Sequence, residues 1–428
     1  MRETLADWLN HLESQHPRGV AGIELGLERV QSVSQALGHH QNVPVITVAG
    51  TNGKGSTCAM LESILTCAGY RVGLYTSPHL LDYTERVRIG GATITAESLC
   101  TSFVRVEECR AGIALTYFEF GTLAAWECFA NAGVDVIILE VGLGGRLDAV
   151  NIYDTDCAIV TAVDIDHTEY LGETREKIGF EKAGIFRSGK PAICADSDPP
   201  QSLVEHARRL GAQLNRIDSD FGYLREAGQW SFWSHQGDKP VQFNDLPLPN
   251  IHGVSQLQNA SGALAALQAL DARLPVRLAD IRRGLREVKL AGRFQILPGQ
   301  PAIVLDVAHN PQAASMLAEN LAAQQEAQAF SGVTWAVFGM LRDKDINGVV
   351  KALTDQITHW LPCSLDGVRA ASADELSRIL QGQAIASRRS FNAPAEAFRY
   401  ARENAGGDDR ILVFGSFQTV ADVLHELA

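Results

Sequence analysis

The sequence predicts an α/β protein of two domains, each built on a mostly parallel sheet. Short apolar runs recur along the chain: "PVITVAG", "VDVIILEVG", "CAIVTAVD", "PAIVLDVA", "VTWAVFGM" and "RILVFGSF". Several lead into helix-like stretches, such as Pro311 to Ala323 and Thr419 to Leu427. Continuous apolar strands separated by helices imply a parallel sheet covered on both faces. The chain has 428 residues, and at roughly 150 residues per domain that allows two or three domains. Ligands of such sheets sit beyond the carboxyl ends of the strands.

Composition narrows the class. Hydrophobic residues make up 46% and charged residues 20%, enough for a sizeable core. The formal net charge of −13 argues against a nucleic-acid partner, which favours a basic face. The eight cysteines contain no C-x-x-C pair and read as reduced, intracellular thiols. The N-terminal "MRETLADWLNHLESQHP" carries Leu5, Trp8, Leu9 and Leu12 among charges, an amphipathic helix rather than a secretory signal. No apolar run reaches the length of a membrane span. The expectation is a soluble cytoplasmic enzyme with no membrane or nucleic-acid partner.

The first element with chemistry is "TVAGTNGKGSTCAMLESIL", Thr47 to Leu65. A strand enters a loop with three glycines and one lysine, and a helix follows with Leu61, Ile64, Leu65 and Ala68 on one face. Backbone N–H groups and a helix N-terminus favour a phosphate there. Lys54 supplies a point charge to the β- and γ-phosphates. The spacing nonetheless departs from G-x-x-x-x-G-K-[ST]: Val48 stands at the first glycine and Gly55 at the magnesium-binding hydroxyl. "TSPHL", after the strand "RVGLY", offers Ser77 as a substitute donor or as a simple turn residue.

Next comes "LEVGLGGRLDAVN". Glu140 ends an apolar strand, where a carboxylate is costly unless a metal or a hydrogen-bonding partner meets it; Arg146 is one such partner. "DIDHTEYLG" places His167 past the strand "CAIVTAVD", and Lys182 follows in a helix. A lone histidine is more often structural than a ligand and a lone lysine more often solvated; both neighbour a strand end on the ligand side, yet for Lys182 spacing alone leaves the solvated reading ahead. From about Asp196 to Pro249 the pattern is less regular, with "WSFWSHQGDKPVQF" as a strand pair around a Gly-Asp turn. The helix "NASGALAALQAL" then leads to "VKLAGRFQILPGQP", rich in Gly and Pro. This gives an N-terminal domain over 1–290, a hinge over 291–300 and a C-terminal domain over 301–428. In the last, "DVAHNP" lies at a strand end, where Asp306 and His309 serve a ligand or cap the following helix.

In this order "GTNGKGS", "TSPHL", "LEVGLGGRLDAVN", "DHTEYLG…EKAGIF", "LAGRF" and "DVAHNP" resemble the folylpolyglutamate synthase family, a branch of the Mur-ligase superfamily of ATP-dependent amide ligases. The likeness spans nearly the whole chain. It implies a Mur-ligase-like fold: a P-loop ATPase domain with a mostly parallel sheet, and a smaller C-terminal α/β domain. "LGLERV" and "TYFEFGTLAA" resemble the members that add L-glutamate to dihydropteroate as well as to reduced folates; the alternative is a member acting on reduced folates only. The resemblance implies ATP as co-substrate, two magnesium ions and a monomer.

By resemblance, Thr51, Asn52, Gly53, Lys54, Gly55 and Ser56 hold the ATP phosphates, and Asn259, Arg293 and Asp306 also contact ATP. Ser77 and Glu140 bind one magnesium and His167 a second. Lys182 carries a carbamate. Ile23, Glu24, Leu25, Thr116, Tyr117, Phe118, Glu119, Leu147, Asp148 and Ala149 match pterin-substrate contacts, and His309 and Ser416 match positions near the incoming glutamate. "NIHGVSQLQ", before Asn259, fits the family pattern loosely. The implied chemistry is an acyl phosphate made from the substrate carboxylate and ATP, then attacked by the glutamate amine. A P-loop phosphohydrolase or kinase fits less well, because the loop departs from that spacing and the C-terminal half carries its own strand-end residues. A non-catalytic nucleotide-binding protein would be expected to lose Lys54, Glu140 or His167, and all three are present.

Overall fold

The computed structural model describes residues 3–15, 23–226, 228–235, 240–326 and 332–427. The chain divides into two compact units, one of Met1–Asn250 with Leu257–Val288, the other of Ile251–Gln256 with Lys289–Ala428.

The first unit is built on eight strands among the described residues: β1 (Val45–Ala49), β2 (Val72–Tyr75), β3 (Val87–Ile89), β4 (Ala92–Thr93), β5 (Val136–Glu140), β6 (Cys157–Val160), β7 (Pro191–Cys194) and β8 (Gln213–Arg216). Their order is β4-β3-β2-β5-β1-β6-β7-β8. β2 to β8 pair in parallel along that order, and at one edge β3 pairs antiparallel with β2 and β4 antiparallel with β3. Every residue of β1, β2, β5 and β6 is buried, as expected for a sheet covered on both faces. Apolar β-branched residues fill those positions because the pleated surface leaves them no exposed side. The register sets Val48 beside Glu140 and Ala49 beside Val160. Four neighbouring strands, β2, β5, β1 and β6, therefore end at one edge, and each is followed by one of the sequence motifs.

The N-terminal helix Leu5–Gln15 buries Trp8 and Leu12 in the core of this unit, with Trp8 against Phe103 at 5.7 Å between ring centres. The less regular stretch forms a meander of β9 (Phe221–Arg225), β10 (Gln229–Ser234) and β11 (Val241–Pro247). β10 and β11 are the expected antiparallel pair. Their Gly237-Asp238 turn lies outside the described residues. The third strand, β9, was not foreseen: "FGYLR" follows a polar turn and carries no long apolar run.

Among the described residues the second unit has five strands: β12 (Gln295–Leu297), β13 (Ala302–Leu305), β14 (Thr334–Phe338), β15 (His359–Pro362) and β16 (Arg410–Phe414), in the order β12-β13-β16-β14-β15. Only β12 runs antiparallel. Gln295–Leu297 thus pairs within this sheet, so part of the 291–300 stretch read as a linker belongs to a sheet edge. Helices Pro311–Glu326 and Phe417–Leu427 follow β13 and β16.

Candidate active site

Beyond β1 the chain turns through Gly50–Gly53 into helix Lys54–Cys67. Gly53 sits at φ 93°, and a Cβ there would lie 2.4 Å from Asn259 Oδ1. Only glycine satisfies both conditions. Asn259, on helix Gln256–Ala269, therefore packs directly against the loop. The loop is tied to the segment after β6: Thr51 N donates to Ala162 O at 2.7 Å and Thr51 Oγ1 to Asp164 O at 2.9 Å. Thr161 Oγ1 donates to Asn52 O at 2.7 Å. Lys54 Nζ donates to the carbonyls of Gly50 (3.1 Å) and Thr51 (3.3 Å), so its ammonium folds over the loop. Gly55 and Ser56 lie in the first turn of the helix, where the N-terminal dipole is positive.

Next to the loop, β5 ends at Glu140, which is 5% exposed. Its Oε2 accepts Ser77 N at 3.2 Å, bringing the residue after β2 to the carboxylate after β5. Arg146 is engaged elsewhere: its guanidinium holds Glu181 at 2.8 Å and its N–H meets Glu181 O.

The segment after β6 holds Asp164, Asp166 and His167. His167 adopts φ 52°, a left-handed conformation uncommon for a non-glycine residue, at the start of helix Thr168–Leu171. Its Nε2 lies 3.9 Å from the Asp166 carboxylate. Lys182 is in the last turn of helix Arg175–Ala183 and is 4% exposed. Burial, and then the Lys54 cation, push its pKa from 10.5 to about 7, against Asp166 and Asp148. The solvated lysine of the spacing argument is thus a buried amine within electrostatic reach of the phosphate loop.

Asp148 is also buried, and that burial raises its carboxyl to about 7 despite N–H donors from Leu143, Val150 and Gly142. It caps the 3-10 turn Ala149–Ile152. Thr116 and Glu119 form a capping box at the start of helix Tyr117–Ala132. The tip of the Phe118 ring packs against Gly142, where a Cβ would come within 2.7 Å of it. Tyr117 stands edge-on to Tyr83 at 5.6 Å, and the Arg86 guanidinium lies over both rings. Ile23, Glu24 and Leu25 are in an irregular segment whose Gly26 N reaches Leu147 O at 3.4 Å. Within the first unit, Gly26 thus ties the Ile23–Leu25 segment to Leu147, while Phe118 and Asp148 both reach the Gly142–Leu143 backbone.

In the second unit, Asp306 follows β13 and accepts N–H donors from Phe294 (2.8 Å) and Ala308 (2.7 Å). Burial raises its pKa and the Arg293 cation opposes the rise. Arg293 stacks over the Phe417 ring at 5.2 Å, and His309 lies 6.4 Å from the same ring. His309 Nδ1 is 2.8 Å from Val307 O, so Nδ1 carries the proton in that contact. Ser416 follows β16; its Oγ accepts from Thr419 N at 3.0 Å. Arg293, Asp306, His309 and Ser416 thus cluster around Phe417.

Sequence reasoning missed Thr161, Arg86 and Arg29, whose partners Asn52, Tyr117 and Glu119 lie far away in the chain, where no local spacing marks the contact. Among the described residues no three His, Cys, Asp or Glu side chains gather as a metal cluster. Ser77 and Glu140 offer oxygen atoms of the kind magnesium takes alongside waters and substrate phosphates, whereas the imidazole of His167 is a less usual ligand for so hard a cation.

Comparison with known proteins agrees with this arrangement. Residues 48–267 match the Mur ligase middle domain and residues 292–417 the Mur ligase glutamate ligase domain. The chain is 45% identical to the dihydrofolate synthase/folylpolyglutamate synthase of Escherichia coli over 98% of this chain and 95% of that protein. It is 43% identical to that of Haemophilus influenzae, over 98% and 96%. Among solved structures it resembles E. coli FolC in complex with DHPP and ADP, with a TM-score of 0.91, 44% identity and coverage of 99% and 98%. A bifunctional folylpolyglutamate synthase/dihydrofolate synthase with Mn, AMPPNP and L-glutamate bound gives 0.89 at 45% identity, with the same coverage.

Proposed function

The chain belongs to the dihydrofolate synthase/folylpolyglutamate synthase family of Mur ligases, and on that premise we infer that it is an ATP-dependent ligase. It joins L-glutamate to dihydropteroate, forming dihydrofolate, and adds further glutamates to reduced folates. ATP is its co-substrate and a divalent metal ion its cofactor. The observation that carries the reading is the shared edge of β2, β5, β1 and β6, where the phosphate loop, the buried Glu140 and the neutral-leaning Lys182 come together.

We propose the following division of labour. The backbone from Thr51 to Ser56 and the helix N-terminus hold the ATP phosphates, and Asn259 supports the loop from the side. Lys54 leaves the loop carbonyls for the β- and γ-phosphates, neutralising one anion while a second anion approaches. Ser77 and Glu140 hold one magnesium ion and His167 a second, which when bound supply positive charge against the phosphates. The substrate carboxylate oxygen attacks the γ-phosphorus, and the bond to the ADP oxygen breaks. The glutamate amine then attacks the acyl carbon of the acyl phosphate, phosphate leaves and the amine loses a proton.

Lys182 adds to this as a carbamate. Its neutral amine takes up carbon dioxide and releases a proton, which turns a repelled cation into an anion beside a cationic site. The pterin substrate lies against Ile23–Leu25, Thr116–Glu119 and Leu147–Ala149. Arg293 and Asp306 contact ATP from the second unit, and His309 and Ser416 receive glutamate there. The C-terminal set around Phe417 favours a ligase over a phosphohydrolase, which has no use for an amine-binding region.

We further propose a monomer acting in the cytoplasm. All eight cysteines are free, and no described helix is long and apolar enough to cross a membrane. The test of function is ADP release measured with dihydropteroate and with a reduced folate offered separately, each with and without glutamate. Turnover with both substrates, dependent on glutamate, is expected. Activity with the reduced folate alone would support the narrower enzyme, and ATP turnover indifferent to both would reject a ligase.

A further inference from the structure

Arg29 joins segments that are distant in sequence. It sits in the first turn of helix Glu28–Leu37, just after the irregular stretch holding Ile23–Leu25. One arm of its guanidinium, Nη1, holds the Glu24 carboxylate. Nη2 donates to Glu24 O at 2.9 Å and to Glu119 Oε1 at 3.0 Å, while Nε points to Glu119 Oε2 at 3.4 Å. Glu119 is 3% exposed, and its Oε2 also accepts Thr116 N at 2.7 Å. The same carboxylate therefore completes the capping box of helix Tyr117–Ala132 and binds the fork of Arg29.

We propose that Arg29 is a positioning residue for the pteroyl substrate, acting through Glu24 and Glu119 without touching the substrate itself. This rests on the reading above, which places that substrate against Ile23–Leu25 and Thr116–Glu119. The stretch around Ile23–Leu25 has no strand or helix hydrogen bonds of its own. Among its anchors are Gly26 N on Leu147 O and the two bonds from Arg29 to Glu24. The planar fork gives Arg29 two directions at once, toward the loop and toward the helix start. A lysine offers one compact charge and cannot span both with fixed geometry. Without Arg29 the buried Glu119 keeps its backbone donors but loses its cation, which is unfavourable for a carboxylate at that depth.

The test is steady-state kinetics of the full chain with each of the three substrates varied in turn. For Arg29→Ala the KM for dihydropteroate should rise about tenfold, with kcat and the KM values for ATP and glutamate changed less than about twofold. Arg29→Lys should recover only part of the loss. Glu24→Ala cuts the loop arm while leaving the Arg29–Glu119 pair, so it serves if Arg29→Ala does not fold. Its effect and that of Arg29→Ala should be non-additive in the double variant. An unchanged dihydropteroate KM in a folded variant, a parallel rise in all three KM values, full rescue by lysine, or additivity would overturn the proposal. A natural-sequence protein that ignores dihydropteroate would overturn the functional reading instead.

Discussion

In the proposed mechanism Lys54 is the residue on which phosphate chemistry turns. Its ammonium already lies over the loop carbonyls, and the neighbouring backbone does not depend on it for a strand or a core contact. Lys54→Ala should abolish ADP formation while the melting temperature shifts by only a few degrees, as expected for a change outside the core; retained turnover would remove it from the mechanism. Lys182 is the subtler case. With its pKa near 7 against an ordinary 10.5, the folded chain holds fewer protons than the unfolded one between those values. This group's contribution to stability therefore rises with pH across that window, and the full cost of burying the ammonium applies below it. In the same direction, more amine becomes available for carbon dioxide as pH rises. With 13C-bicarbonate, a carbamate carbon signal should appear at about pH 8, fade at about pH 6 and be absent in Lys182→Ala. A spectrum without that signal at the higher pH would end the carbamate idea. Glu140→Gln should raise the magnesium requirement more than His167→Ala, because a full negative charge facing a hard cation is lost; magnesium titration of activity at saturating ATP compares them, and the reverse order would contradict it. Glycine spacing and the strand run made Lys54 and Glu140 legible in the sequence. Lys182 was not legible on its own, because its depth depends on how its helix packs.

At the level of elements, the strand ends were legible and the supports behind them were not. Continuous apolar runs identified β1, β5, β6, β13, β14 and β16, since burial on both faces leaves no other composition. β12 was hidden in a Gly- and Pro-rich stretch, because its half-buried edge position needs no apolar run. The loop "GLGG" after Glu140 has glycine where another part of the chain comes close. The structure gives the reason at Gly145, where a Cβ would lie 2.9 Å from Glu181 O and 3.0 Å from Lys182 O. Both atoms are backbone, so the helix carrying Lys182 must move to admit a methyl group. Gly145→Ala should therefore cost about 1–3 kcal/mol of stability and lower kcat more than it changes the ATP KM. Denaturant unfolding and kinetics on the same preparation would check this. Normal stability and kcat would show that the close approach has no consequence.

At the level of the whole molecule, the chain carries two strand-end sets, one beyond β2, β5, β1 and β6, which we propose serves ATP and the pterin substrate, and one around Phe417. Arg293→Ala should weaken ATP binding and sharply reduce ligation; isothermal titration with an ATP analogue and an end-point ligation assay measure the two, and normal values for both would remove Arg293 from the ATP site. Motif order along the chain made both sets legible, whereas long-range ties such as Thr51 to Asp164 and Arg29 to Glu119 were not, because they join residues with no spacing in common. The central claim is that the substrate carboxylate is phosphorylated and that the glutamate amine then displaces this phosphate. Dihydropteroate labelled with 18O in its carboxylate tests it directly. Mass spectrometry of the phosphate released during ligation should show one 18O per phosphate from fully labelled substrate, in amounts equal to the amide formed. Unlabelled phosphate accompanying amide formation would contradict the acyl phosphate and with it the assignment of this site.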